Sequence, residues 1–197
     1  GVDRAINLDG GGSTTMGIRK YGSNTVVLAN KPSGGSERRV SAIIQAISTG
    51  LTGEAKTIKV SRNRVGDLLV GATVKLTPQY VLDEHYNPIT INNSLFNLTS
   101  QNNLVSINGL TYTATSPGSE RIIVGYENAT ESMTFNIVDA PSQLTIAGAS
   151  TIEPNRTAQF TIDAKGSNNA SLVYNADQVN WSITGDIGTV NANGLFT

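Results

Sequence analysis

The 197-residue chain has no cysteine, one histidine and one tryptophan, and only 15% of its residues carry charge. Without cysteine there is neither a disulfide framework nor a thiolate nucleophile, although this alone does not assign a redox compartment. The lone His85, beside Tyr86, lies far from any serine-aspartate pairing and excludes a Ser-His-Asp triad; it reads as an ordinary loop residue. Fourteen basic residues against fifteen acidic ones leave the chain near neutral. No basic run would track a phosphate backbone, so nucleic acid is not an expected partner. There is no apolar stretch long enough to span a bilayer, no signal peptide and no lipidation motif. Asp83-Glu84-His85 offers two carboxylates without the glycine turn of a calcium loop, so it reads as solvated, and neither metal nor cofactor is expected.

What remains as chemistry is concentrated in Arg4-Ala5-Ile6-Asn7-Leu8-Asp9-Gly10-Gly11-Gly12-Ser13-Thr14-Thr15-Met16. A short apolar strand, Ala5 to Leu8, delivers Asp9 into three glycines and then into hydroxyl-bearing residues. Adjacent residues without a Cβ let backbone approach a ligand closely. Successive N–H groups in such a turn form an anion-binding concavity. The plainer alternative is a tight glycine turn capped by Asp9.

Further motifs follow in order: Val26-Val27-Leu28-Ala29-Asn30-Lys31-Pro32-Ser33, then Glu37-Arg38-Arg39-Val40. Together these blocks resemble the C-terminal end of the phosphodiester glycosidase domain, the family of the N-acetylglucosamine-1-phosphodiester α-N-acetylglucosaminidase, over about the first quarter of the chain. Arg39 departs from the proline that relatives commonly carry. The resemblance implies hydrolysis of a sugar-1-phosphodiester of the N-acetylglucosamine type. It places Asp9 as catalytic, with Gly10, Gly11, Gly12, Ser13, Asn30 and Arg38 around the substrate. Glycosidases usually employ two carboxylates, and neither Asp3 nor Glu37 has a strong local claim to be the second. Arg38 would neutralise the phosphate leaving group as a bidentate donor, or else belong to a solvated loop. The domain body is expected upstream of Gly1, and a piece this small is not expected to be active alone.

The remainder reads as strand after strand, with runs at Thr25 to Leu28, Thr57 to Val60, Ala72 to Leu76, Leu104 to Ile107, Tyr112 to Ala114, Glu120 to Tyr126 and Ser132 to Val138. Turn signals such as Asn108-Gly109 and Pro117-Gly118 separate them at the spacing of a β-sandwich. Val40, Ile43, Ile44 and Ile47 have helical spacing, yet their β-branching and the glycosidase resemblance favour a strand. After the hinge Ala140-Pro141-Ser142 the order restarts. Leu144-Thr145-Ile146 matches Ile58-Lys59-Val60, and Asn155 to Ile162 matches Val70 to Leu76. Val179-Asn180-Trp181-Ser182-Ile183 and Gly188 to Thr197 follow as further strands. This rhythm resembles bacterial immunoglobulin-like repeats of surface proteins.

The expected fold is therefore mainly β. Residues 1–53 form the glycosidase-like portion, 54–139 one immunoglobulin-like sandwich, and 140–197 a second that lacks its last strands. Val179, Trp181 and Ile183 alternate, which predicts a core position for Trp181 rather than a sugar platform. The incomplete third unit is expected to expose a sheet edge prone to self-association. Two functions stay open: a piece of a secreted phosphodiester glycosidase with modules as spacers or binders of cell-envelope glycan, or a non-catalytic surface module array. Both put the protein outside the cell or at its surface.

Overall fold

The computed structural model describes residues 13–41, 43–47 and 49–197. Near the N-terminus β1 (Gly17–Arg19) and β2 (Val26–Leu28) form an antiparallel hairpin, Gly17 opposite Leu28. Its turn carries Gly22 at φ +76°, where a Cβ would strike the Tyr80 side chain 2.3 Å away. Only glycine lets this turn sit against the next unit.

That unit is a two-sheet sandwich built from β3 (Ala55–Arg62), β4 (Asp67–Leu69), β5 (Thr73–Asp83), β6 (Pro88–Ile89), β7 (Phe96–Ser100), β8 (Val105–Asn108), β9 (Thr111–Ala114), β10 (Gly118–Tyr126) and β11 (Ala129–Val138). One sheet runs β3-β5-β9-β8, with β6 added to β5; the other contains β4-β11-β10-β7. Alternation drives the packing, because side chains two apart on a strand share a face. Ile58 and Val60 point inward from β3, Val74 and Leu76 from β5, Ile122 and Val124 from β10, and Phe135 and Ile137 from β11, all at 4% exposure or less. The Asn108-Gly109 signal falls at the β8–β9 hairpin, whose loop is Gly109-Leu110. Every sandwich strand expected from the sequence is present, but β5 runs on past Leu76 to Asp83 and β11 begins at Ala129 rather than Ser132.

Residues 140–197 repeat half of this plan. β12 (Gln143–Ala147) pairs with β14 (Thr161–Lys165) as β3 pairs with β5, and β13 (Ala158–Gln159) pairs with β16 (Leu195–Phe196) as β5 pairs with β9. Thr189 and Thr197 exchange backbone hydrogen bonds of 2.8 and 2.9 Å, which stands in for the β8–β9 pairing. The remaining strand, β15 (Leu172–Val173), leaves its own unit. It pairs in parallel with β4, so the second sheet of the middle unit reads β15-β4-β11-β10-β7 across the boundary.

Three expectations are corrected. Residues 43–47 form no strand and no helix; Ile43, Ile44 and Ile47 are 67 to 77% exposed. β-Branching expresses packing against neighbours, and no described strand pairs with this segment. Val179 to Ile183 keeps its alternation of half-buried and exposed residues but joins no ladder. Trp181 is consequently half-buried rather than a core residue, its ring lying against the Gly194 backbone.

Tyr112 shows what this core tolerates. It is fully buried, stacks on Phe135 at 5.4 Å, and its hydroxyl has no hydrogen-bond partner among the described residues. Burial raises its pKa, and the Arg62 guanidinium works in the opposite direction. A buried donor without a partner carries its full desolvation cost, so removing it should be nearly free. Tyr112→Phe is expected to unfold in urea within about 0.5 kcal/mol of the parent, or to be more stable; a loss above about 1.5 kcal/mol would reveal a partner for the hydroxyl.

Candidate functional site

Of the residues that the sequence assigns to a site, Asp9, Gly10, Gly11 and Gly12 lie outside the described residues. Ser13 is half-buried and leads into the extended segment Thr14–Met16. Asn30 fastens that segment: its Oδ1 accepts the Met16 N–H at 2.7 Å and its Nδ2 donates to the Thr14 carbonyl at 2.7 Å. The Ala29 N–H donates to Met16 O at 2.7 Å, extending the β1–β2 ladder by one rung. The amide of Asn30 thus serves two backbone groups and supports the chain that follows the glycines. Arg38 is exposed on the succeeding loop, as are Glu37 and Arg39.

Within the 83–86 stretch Glu84, His85 and Tyr86 are exposed as expected, and Asp83 is the correction. Asp83 is 1% exposed. Its carboxylate accepts the N–H groups of Gly53 at 2.9 Å, His85 at 2.8 Å and Asn87 at 2.8 Å, and the Asn87 side-chain amide at 3.1 Å. Asn87 Nδ2 also donates to the Gly50 carbonyl at 3.2 Å. One anion therefore shapes the 83–87 turn, which holds Tyr86 at φ +60°, and ties down the incoming segment at Gly50 and Gly53. Tyr86 in turn stacks on Tyr21 of the β1–β2 turn, with ring centres 5.6 Å apart. Burial works to raise the Asp83 carboxyl, but the hydrogen bonds outweigh it and bring it to about 2. Glu120 repeats the device: fully buried, it accepts the Ser100 hydroxyl and the N–H groups of Gln101, Asn102, Leu104 and Arg121. It too is held below its ordinary range against the effect of burial.

A third constellation, unforeseen from sequence, clamps β15 to the sandwich. Arg64 donates through Nη1 to Tyr174 O at 2.6 Å and through Nη2 to Thr73 O and to Asn175 Oδ1 at 2.9 Å. The same Asn175 Oδ1 accepts the Thr73 N–H, while its Nδ2 donates to Gly71 O at 3.0 Å. Gln178 reaches Val70 O at 2.7 Å. Gly66, at φ +149°, admits the approach: a Cβ there would lie 2.4 Å from Ser171 O. A signal existed in the sequence, since Asn175-Ala176-Asp177-Gln178 has the Asn-x-x-Gln spacing of a capped turn. That spacing gives no hint that the cap reaches a residue 111 positions away.

These arrangements bind backbone rather than a ligand. Among the described residues no group of three or more histidines, aspartates and glutamates could hold a metal ion. No described helix is long and apolar enough to cross a membrane.

Residues 1–47 match the family model of phosphodiester glycosidase, about a quarter of the length. No curated protein matches the chain. Among solved structures, domains 5–6 of the S-layer protein SbsC share 21% identity over 61% of this chain and 65% of theirs, at a TM-score of 0.35. A structure of SbsC residues 31–844 shares 20% identity over 59% of this chain and 20% of that one, at a TM-score of 0.40. SbsC domains 1–6 cover 73% of this chain at 18% identity and a TM-score of 0.38. The chain thus spans 65% of the first of these and about a fifth of the other two.

Both buried carboxyls bind protons more weakly folded than unfolded, so they stabilise the fold above their unfolded values. For Asp83 that contribution is lost as pH falls from 3.8 towards about 2. The melting temperature should hold from pH 7 to about 5 and drop steeply below 4, as followed by circular dichroism. Asp83→Asn should melt lower at pH 7 and show a shallower acid drop; an unchanged acid profile would refute the role given to Asp83.

Proposed function

We propose that the chain is a non-catalytic array of surface modules that holds the closing segment of a phosphodiester-glycosidase-type domain in fixed register with the units that follow. The observation that carries this reading is β15, a strand of the third unit that completes a sheet of the second and is locked there by Arg64 and Asn175. A flexible tether would leave successive units independent; a shared sheet makes them one body. The Asp83 hydrogen bonds and the Tyr21–Tyr86 stack bring the same continuity to the upstream side. The two most buried carboxylates are both saturated by backbone donors, which leaves them unsuited to acid–base work. A location outside the cell or at its surface fits the weakly charged, β-rich composition.

The second reading rests on the family match to residues 1–47. In it Asp9 supplies acid–base chemistry on a sugar-1-phosphodiester, Gly10, Gly11, Gly12 and Ser13 cradle the phosphate, Asn30 braces the strand after the glycines, and Arg38 neutralises the leaving group. The ligand class of this segment is then a carbohydrate phosphodiester or a cell-envelope glycan.

Incubation of the chain with an α-N-acetylglucosamine-1-phosphodiester separates the two. The expected result is no release above background for the chain or its Asp9→Asn variant. Turnover that disappears in Asp9→Asn would overturn the non-catalytic reading. The mechanical half has its own test in small-angle scattering of Asn175→Ala, which removes three of the clamp's hydrogen bonds. The radius of gyration should rise, at a stability cost of about 2 kcal/mol; an unchanged scattering curve would mean that the clamp does not set the arrangement.

A further inference from the structure

Where the β1–β2 turn meets the sandwich, Tyr21, Tyr80 and Tyr86 stand together. Tyr21 stacks on Tyr86 and leans against Tyr80, with ring centres 5.6 and 6.1 Å apart. Tyr21 and Tyr86 are 64% and 57% exposed. Both are nevertheless held in place. Tyr86 sits in the turn that Asp83 fixes, and Tyr21 precedes Gly22, whose backbone packs on the Tyr80 side chain. Beside Tyr80 opens a cavity of about 230 Å³ between the hairpin turn and strands β5 and β6. Pro88, Ile89 and Ile91 form its apolar part, and Asn24, Gln79 and Thr90 its polar part. Among the described residues no charged side chain lines it. The Asn24 amide and the Thr90 hydroxyl have no hydrogen-bond partner among the described residues. Gln79 spends its Nε2 on Ser61 Oγ at 2.9 Å and Thr77 O at 3.2 Å, which leaves its Oε1 to accept.

We propose that this cleft binds an N-acetylhexosamine ring of a neutral glycan chain, with the tyrosine cluster carrying the sugar that adjoins it. A pyranose has an apolar C–H face and a rim of hydroxyls, so it calls for aromatic surface beside amide and hydroxyl side chains. Tyrosine supplies such surface, amphipathic and rigid, at low cost in conformational entropy. The acetamido group adds a methyl, which suits Pro88, Ile89 and Ile91, and an amide, which suits Gln79 Oε1 and the Asn24 side chain. A lining without a cation gives no anchor to a phosphate or carboxylate. The volume lies below the roughly 300–1,000 Å³ of pockets for drug-sized ligands, which fits a single ring of a longer chain. Water serves the polar groups in the free protein, and sugar hydroxyls can take over its hydrogen bonds. Because both turns are fixed before a ligand arrives, little ordering remains for binding to accomplish. The site uses neither the glycine block nor the β15 clamp, so it goes beyond the function proposed above and stands or falls separately from it.

The test is a heteronuclear NMR titration of the full, isotope-labelled chain with chitotetraose, the tetramer of N-acetylglucosamine. Cellotetraose, which has the same linkage with a hydroxyl in place of each acetamido group, is the control. Chitotetraose should shift the Asn24 side-chain and Tyr86 backbone resonances saturably, and cellotetraose should bind roughly tenfold more weakly. Tyr21→Ala and Asn24→Ala should each weaken chitotetraose binding by roughly tenfold. The Asn24 side chain makes no hydrogen bond within the described fold, so Asn24→Ala should keep the parent's circular dichroism spectrum and melt. Failure to saturate at millimolar chitotetraose, equal affinity for cellotetraose, or an affinity unchanged in either variant would overturn the proposal.

Discussion

The arrangement of the last two units hangs on Leu68, a fully buried residue in a strand three residues long. On one side β4 pairs in parallel with β11 through Leu68 and Ile137; on the other it pairs in parallel with β15 through Leu68 and Val173. A strand this short contributes few ladder bonds, and parallel pairing is slightly weaker per residue than antiparallel. It persists because the flanking turns are fixed from outside the strand. Asp67 N–H donates to Ser171 O while its carboxylate accepts the Asn136 N–H, and Val70 N–H donates to Val138 O. Arg64 and Asn175 then close the opening on the β15 side. Without β15, β4 would be an exposed sheet edge, which proteins seldom leave bare. Here the neighbouring unit covers it, so one hydrogen-bonded seam solves an edge problem and a domain-orientation problem together.

The same economy governs the charges. Asp83 and Glu120 are buried anions without a cationic partner in hydrogen-bonding contact, an arrangement that would be costly unless backbone donors replaced water. Asp83 collects two N–H groups from its own turn and a third from Gly53, and Glu120 collects three from the 101–104 turn. The turns at 83–87 and 100–104 lie at sandwich ends, and one anion fixes each. A buried, low-pKa carboxylate suggests catalysis when seen alone, but here every strong acceptor direction is occupied by structural donors. Perturbation and function therefore part company at both residues.

The longer strands were legible because they carry period-two patterning and end in recognisable turns, with Ile58 and Val60 inward and Lys59 outward, whereas β4, β6 and β7 were not read from the sequence. After Ala140 strand-like runs were legible for the same reason, and β12 pairs with β14 and β13 with β16. Three things were not. Val40 to Ile47 carries strand-forming residues, yet propensity cannot supply a partner strand. Asp83 looked solvated because its neighbours Glu84, His85 and Tyr86 are; the donors that bury it arrive partly from Gly53, 30 positions away. Arg64 and Asn175 meet only after two units have folded, and no local pattern encodes that meeting. As for the candidate site, the family resemblance placed Asn30 around the substrate; that its amide fastens the Thr14 and Met16 backbone is encoded by no local pattern.

The half-buried state of Trp181 follows from the same geometry and is not a defect of its own sequence. Val179, Trp181 and Ile183 alternate as a sandwich strand should, and Gly194 offers the indole a flat backbone surface. In the middle unit the counterpart strand β7 is sealed by pairing with β10, which covers the second flank of every inward side chain. Burial of a large side chain on a strand requires contact from the sheet opposite and from the strand alongside. Among the described residues Trp181 has the first and lacks the second, and it is half-buried. Leu144 and Ile146, on the facing sheet, are exposed for the complementary reason.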